Sequence, residues 1–553
     1  MQEIPVWQST ELCYHSVKSY DTEEKPWKTV QITAEFCSES GTKLVIPGFW
    51  DGGDVFKIRF APTEKGEWKY VVKSSLPELE GKQGAICALP PEEGNPLYTH
   101  GGFLKASENG RYITYTDGTP FFYLSDTLWF IPGTVKMPPE VLGPCIEKRK
   151  QQGFTAIVIG YIEGSPGKQI QEYYHKTGDI DPAFWKVADD CFRTILESGM
   201  TIVAQPMWAD AETWPTDAEW EDLLDYMTAR YCAWPIHYGM GPEFDSKPKQ
   251  ESGLDERSLK MLAYLRKQDP YHRAYTTQPN PWNLDTTRKD WACPAVDVVA
   301  LEGGHEDPWG IHTSYYKQAW EHERGGRHIP LIILETVWEG IMRHQFPPHS
   351  AYTIRYNMYR AFLSGCMGMS YGANGLWYPR STEDDDVYDR DWGVSPVWDV
   401  ALQFPGADSM TVLKNLFGSL KWWDICPLFD GGVPSPDIEP PYPVEETPEI
   451  MPQVTRTNQV IPFPSDKDNY RIPSVAAFEQ GRKLVIYIPH CKSKTSPVFI
   501  SVQQTGTYQC KWYDVRSGSF ISTGTVNVSG KTQLPDRPDD QDWILMMEES
   551  EHV

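Results

Sequence analysis

No stretch of this 553-residue chain approaches the roughly 20 consecutive apolar residues of a membrane helix, so nothing in it is expected to span a bilayer. Cysteine is scarce and scattered: eleven residues stand singly from Cys13 to Cys510, with no C-x-x-C pair. That pattern excludes a disulfide framework and reads as reduced thiols. Histidines and cysteines at metal-ligand spacing are missing too, with neither H-E-x-x-H nor H-x-H, so no metal and no cofactor is expected. Positive charge is the next shortage. Against 76 Asp+Glu stand 51 Lys+Arg, a net charge of −25, and no local basic patch offsets it. Such a field repels polyanions, which argues against nucleic acid as a partner. The first residues, Met1-Gln-Glu-Ile-Pro-Val-Trp7, offer neither a basic n-region nor an apolar h-region. The expectation is a cytoplasmic protein, or a secreted one if an export signal has been trimmed from this sequence.

Aromatic residues, by contrast, are abundant. The 22 Trp and 29 Tyr suit carbohydrate, whose C–H faces pack on flat rings, although β domains and barrels also use many aromatics for their cores. Length predicts about three domains. Residues 1–95 read as a β-sandwich: Val30–Phe36 alternates apolar and polar residues, as does Val55–Phe60 in part, and Gly66–Val72 follows a Pro/Gly turn. Pro90, Pro91 and Pro96 mark its exit.

From about 104 to 420 apolar β runs alternate with amphipathic helices. The predicted strands are Phe121–Ser125, Ala156–Gly160, Thr201–Gln205, Ile236–Met240, Ala274–Thr277, Val296–Leu301, Ile329–Leu334 and Gly368–Tyr371. Helices are predicted at Val141–Gln152, Phe184–Ser198, Ala218–Tyr231, Arg257–Gln268 and Tyr352–Leu363. This is the pattern of a (β/α)8 TIM barrel. An open doubly wound sheet is the rival, but no Gly-rich phosphate turn follows the first strand. Residues 427–473 hold eleven prolines and many acids, read as a linker or insertion expected to pack on the body. Residues 474–553 are β again, with strands predicted at Lys483–Ile488, Val498–Val502, Tyr508–Tyr513 and Trp543–Met547, a second sandwich expected to pack on the barrel and stabilise it.

A TIM barrel carries its active site at the carboxyl ends of its strands. The residues standing there are Asp126 and Trp129, Tyr161 and Glu163, Gln205, Met207 and Trp208, Glu243 and Asp245, Gln278 and Asn280, Glu302 and His305, Glu335, Trp338 and Glu339, and Tyr371, Asn374 and Trp377. Carboxylates, amides and aromatics converge. Glycosidic cleavage needs a carboxylic acid to protonate the leaving oxygen and a carboxylate to attack or stabilise the anomeric carbon. Each residue alone has a plainer reading. Asp126 and Asp245 are as often helix caps, Glu339 belongs equally to a following helix, and His305 is more often structural than catalytic.

The run Arg111–Trp129, containing Asp117-Gly-Thr-Pro-Phe-Phe-Tyr-Leu-Ser-Asp-Thr-Leu-Trp129, resembles the entry motif of the apiosidase-like glycoside hydrolases. Tyr231–Asp245, Pro330-Leu-Ile-Ile-Leu-Glu-Thr-Val-Trp-Glu339 and Tyr371–Trp377 are similar to later segments of that family. The flanks agree: Gly48–Gly53 with Arg59–Pro62 and Gly66–Trp68 resembles an immunoglobulin-like domain, and Trp512–Gly518 with Asp542–Leu545 resembles a C-terminal sandwich sometimes labelled collagen-binding. The resemblance implies an acid at Glu243 and a second carboxylate at Glu335. It departs at Ser125, Pro242, Gln278 and Glu302, where the family more often has Gly, Gly, His and Gln, so the family's apiose specificity is not assumed for this chain.

The resulting expectation is a glycosidase of carbohydrate metabolism, acting on plant-derived oligosaccharides or small glycosides. Glu335 would be its nucleophile and Glu243 its general acid/base. Asp126, Trp129, Tyr161, Gln205, Trp208, Gln278, Glu302, His305, Trp338, Tyr371, Asn374 and Trp377 would shape the sugar site, and an oligomer of identical chains is compatible with the sequence. A non-catalytic carbohydrate-binding or adhesin-like protein and a metal-dependent barrel hydrolase are the alternatives.

Overall fold

The protein is described from a computed structural model covering residues 1–132, 137–160, 163–165, 168–169, 177–206, 216–241, 243, 253–279, 289–305, 311, 313–342, 348–380, 393–439 and 469–550. Eight parallel strands form the central sheet: Tyr123–Thr127, Ala156–Ile159, Thr201–Ala204, Ile236–Met240, Thr276–Thr277, Val299–Glu302, Leu331–Glu335 and Cys366–Tyr371. They are numbered here as barrel strands one to eight. Neighbours pair in chain order, and strand eight returns to strand one in the register Ser125↔Ser370 and Asp126↔Tyr371. Strands five and six close the ring through a parallel bridge, Thr276↔Val298. The fifth strand, with two residues, is the shortest rung. Continuous apolar runs such as Ala156–Ile159 are buried at every position, as expected when helices and lumen cover both faces of a parallel strand.

The predicted helices appear at Pro139–Gln151, Pro182–Glu197, Asp217–Tyr231, Leu254–Gln268 and Ala351–Leu363. Their starts follow local chemistry. Asp181 caps the second, accepting from the Ala183 N–H at 3.0 Å, and Thr216 with Glu219 forms a capping box on the third. Among the described residues no helix is long and apolar enough to cross a membrane.

Two antiparallel sheets make the N-terminal sandwich, apart from one parallel pair at its first strand. Its core is the alternation seen in the sequence: Ile32, Ala34 and Phe36 point inward, and Phe36 stacks on Phe60 with ring centroids 3.8 Å apart. The domain is clasped to the barrel by an exchange of buried charges. Arg59 of the sandwich reaches Asp189 of the barrel, while Arg230 of the barrel donates to Asp189 at 2.8 and 2.9 Å and to Asp51 of the sandwich at 2.9 Å.

The C-terminal sandwich is one seven-stranded hydrogen-bonded sheet folded on itself. Phe499–Tyr513 is one long strand where the sequence suggested two, with a register shift between Val502 and Gly506. Its central strand Lys483–Ile488 explains the apolar run there. Leu484, Ile486 and Ile488 enter the domain's own core, whereas Val485 and Tyr487 join the core shared with the barrel. Tyr487 stacks on Tyr359 at 5.2 Å, and buried Asp542 accepts two bonds of 2.9 Å from Arg355, both partners in the helix Ala351–Leu363. The sheet also takes short strands from within the proline-rich stretch: Cys426–Pro427 and Gly432–Val433 pair with Ser474–Phe478 and Phe499–Tyr513. Ile438 is buried in its core, but Tyr442, Val444, Ile450 and Met451 lie outside the described residues.

Two buried histidines set an acid limit on this fold. Burial holds His237 and His349 down to about 4, below the ordinary 6.5. Between those values the unfolded chain binds the extra protons and the folded chain does not, so their contribution is complete above about pH 6.5 and is lost as pH falls toward 4. At pH 5 each costs about 2 kcal/mol. Thermal melts between pH 7 and 5 should show Tm falling steadily; a level Tm over that range contradicts the assignment.

Candidate active site

The mouth of the barrel is organised around Glu335, the last residue of strand seven and buried. Each of its oxygens receives a donor. His305, just after strand six, places Nε2 2.6 Å from Oε1, and Gln278, just after strand five, donates from Nε2 to Oε2 at 2.6 Å. The same Gln278 nitrogen lies 3.3 Å from Oε2 of Glu302, the last residue of strand six, so two buried carboxylates share one amide. Gln205, after strand three, donates its own amide to Gln278 Oε1. Short bonds to both oxygens hold the Glu335 carboxylate in one orientation.

Gln278 also holds the opposite side of the mouth. Its backbone carbonyl accepts the N–H of Glu243 at 2.9 Å. Glu243 follows strand four with its side chain exposed and its backbone at φ 53°, a left-handed conformation that costs a non-glycine residue about 1–2 kcal/mol. Strain of this kind persists where surrounding contacts fix the chain, and it gathers at functional positions. Glu243 and Glu335, paired from sequence, are thus tethered to one residue.

An aromatic wall stands beside the carboxylates. The His305 ring packs on Trp338 at 4.2 Å, and Trp338 meets Trp377 at 5.5 Å and Trp129 at 6.3 Å. Bare backbone seats these rings: a Cβ at Gly160 would overlap Trp129, and one at Gly372 would overlap Trp338. His349 donates from Nε2 to the His305 carbonyl at 2.8 Å, and its burial keeps it neutral.

Other predicted site residues have their polar atoms engaged elsewhere. Asp126 is fully buried and paired with Arg149 of the following helix at 2.6 Å; burial pushes its carboxyl up against the pull of that guanidinium. Tyr371 donates to Glu339 at 2.7 Å. Glu339 in turn accepts the N–H of Gly406, at the start of the helix Pro405–Gly418, so it joins strand eight to that helix. Asn374 receives Ser395 Oγ at 2.7 Å and donates to the Gly340 carbonyl at 3.2 Å, tying two mouth loops. Tyr161, Met207, Trp208, Asp245 and Asn280 lie outside the described residues. Among the described residues no group of three or more His, Cys, Asp or Glu could hold a metal ion.

Arg149 and His349 were not singled out from sequence. Arg149 had a readable signal: it extends the apolar stripe Val141, Leu142, Cys145, Ile146, and a cation on a buried helical face requires a buried anion. His349 had none, because its role depends on a loop contact 44 residues away in the chain.

The sequence model of the apiosidase-like catalytic domain matches residues 107–424, more than half of the chain, and a domain of unknown function matches residues 3–75. No curated protein matches the chain. In fold it is similar to a Bacteroides vulgatus protein provisionally described as a glycoside hydrolase, with TM-score 0.68, 14% identity and 100% of each chain covered. It is also similar to a glycoside hydrolase family 5 protein of the same organism, with TM-score 0.62, 17% identity, and 84% of this chain and 97% of that one covered.

Proposed function

We propose, from the premise that this chain belongs to the apiosidase-like glycoside hydrolases and is a glycosidase, that it cleaves plant-derived oligosaccharides or small glycosides with retention of configuration, through Glu335 as nucleophile and Glu243 as general acid/base. The observation that carries the proposal is the setting of Glu335: a buried carboxylate at the end of strand seven, with a donor on each oxygen and an aromatic wall beside it.

The two carboxylates divide the work by environment. Glu335 is braced on both oxygens, which fixes the direction from which its carboxylate displaces the leaving group and forms the glycosyl–enzyme ester. Glu243 is exposed on a turn, with its backbone fixed and its side chain at the solvent side. From there it can give a proton to the leaving oxygen and then take one from the water that breaks the ester. Trp377, the less buried of the two rings, is the one placed to meet the C–H side of a sugar ring, with Trp338 packed behind it. A pentose or branched furanose is the proposed unit, since the family resemblance points that way, while Gln278 and Glu302 separate the pocket from the usual family pattern.

A panel of nitrophenyl glycosides and pectic oligosaccharides tests the reading, with product anomers followed by NMR. Retention is expected, with about 5–5.5 Å between the carboxyl groups; an inverted product implies a separation of roughly 6.5–9.5 Å and moves the base role to Glu335. Carbohydrate bound without turnover across the whole panel favours the alternative of a binding protein.

A further inference from the structure

Resting on the reading of Glu335 as nucleophile, we infer that Gln205 and Gln278 are positioning residues, an oriented pair of amides that holds this carboxylate ready.

The argument is one of donors and acceptors. Gln278 Nε2 faces two carboxylate oxygens, at 2.6 Å from Glu335 and 3.3 Å from Glu302. Turning the amide over would aim its oxygen at both carboxylates, so the nitrogen must lie on that side. Its oxygen then points at Gln205, which answers with its NH2. The polarity therefore runs in one sense from Gln205 through Gln278 to Glu335. A second observation agrees. Gln205 Oε1 is buried and has no hydrogen-bond partner among the described residues, so Gln205 keeps its donor on Gln278 while its own acceptor goes unused. Leaving a buried acceptor unmade is costly, and such a group calls for a reason. The reason here is the orientation of the next amide.

Glu335 needs this help because its surroundings are not simply cationic. Among the described residues the titratable groups around it include His305 on one oxygen and Glu302, which competes for the same amide, with Glu243 joined to Gln278 through the backbone. A fixed NH2 between the two carboxylates screens one from the other without adding a proton that could move.

Two changes at one position separate orientation from packing. Gln205→Glu cannot donate to Gln278 Oε1; its carboxylate should draw the Gln278 NH2 toward itself and turn the Gln278 oxygen onto Glu335. Gln205→Leu removes the partner but leaves Gln278 held by the two carboxylates. On the nitrophenyl glycoside that the wild-type enzyme turns over fastest, Gln205→Glu should lower kcat about 100-fold or more, with little change in KM and the acid limb of kcat/KM moved to higher pH. Gln205→Leu should lose less than about tenfold, with the limb in place. Gln278→Met, which deletes the donor without adding charge, should reproduce the pH shift and serves if Gln205→Glu does not fold. Equal losses in Gln205→Glu and Gln205→Leu that track their melting temperatures, or an unmoved acid limb in Gln278→Met, overturn the inference. Glu335→Gln is assayed alongside: if it retains turnover, the nucleophile assignment itself falls and takes the relay with it, whereas an inactive Glu335→Gln beside unmoved glutamine variants rejects the relay alone.

Discussion

Glu335→Gln should lose turnover of every substrate, by at least about four orders of magnitude. The substitution removes the attacking charge, and it also breaks the local bonding. An amide at this position must present its NH2 either to His305 Nε2 or to Gln278 Nε2, each a donor to the native carboxylate. Glu243→Ala should behave differently. Protonation of the leaving oxygen matters least for good leaving groups, so nitrophenyl glycosides should still form the glycosyl ester; its hydrolysis, which has lost its base, should slow by roughly 10²–10⁴ and recover with added azide, which attacks the ester in place of activated water. Azide rescue in Glu335→Gln and none in Glu243→Ala would reverse the two assignments.

The second large effect concerns attachment of the C-terminal sandwich. Asp542 is fully buried beneath two bonds from Arg355 and a third contact from Tyr487 at 3.2 Å. Asp542→Ala leaves that guanidinium buried and unanswered at this contact, which costs about 3–5 kcal/mol. The melting temperature should fall by several degrees, with kcat per folded molecule unchanged, because the pair lies in the helix layer and not at the mouth. Replacing both partners, Arg355→Met with Asp542→Leu, should recover most of the loss, since two apolar groups need no compensation. A single variant as stable as the wild type would mean that the barrel does not depend on this contact.

Much of this architecture could be read from the chain. Strand four, Ile236–Met240, and the sheet strand Lys483–Ile488 fall where the period of apolar residues put them, and helix ends moved by a few residues at most. Strand five shrank from Ala274–Thr277 to Thr276–Thr277, because Ala274 and Tyr275 pair with loops and not with strand four. The strand Phe520–Gln533 was missed, since its exposed Ser, Thr and Gly residues give no buried alternation over most of its length. At the site, sequence position brought the right residues to the mouth but could not say what they touch. Gln205, Gln278, Glu302 and His305 were read as sugar ligands; they form one hydrogen-bonded set around Glu335, a fact that needs the facing of four strand ends. Asp126 and Tyr371 share a register across strands one and eight, and their bonds run to Arg149 and Glu339. A side chain's direction at a strand end depends on the twist and stagger of the closed barrel, which no local pattern records.

The brevity of strand five has a consequence for how the enzyme ages with heat. Gln278, the residue that fixes both carboxylate positions, follows the barrel's shortest rung, and a single bridge links that rung to strand six. Regions with few ladder bonds open at lower free energy than the body around them. Amide protons of Thr276 and Thr277 should then exchange with solvent sooner than those of strands one, seven and eight. Catalysis can lapse on warming while the barrel still gives its full circular dichroism, and return on cooling as one short rung closes again.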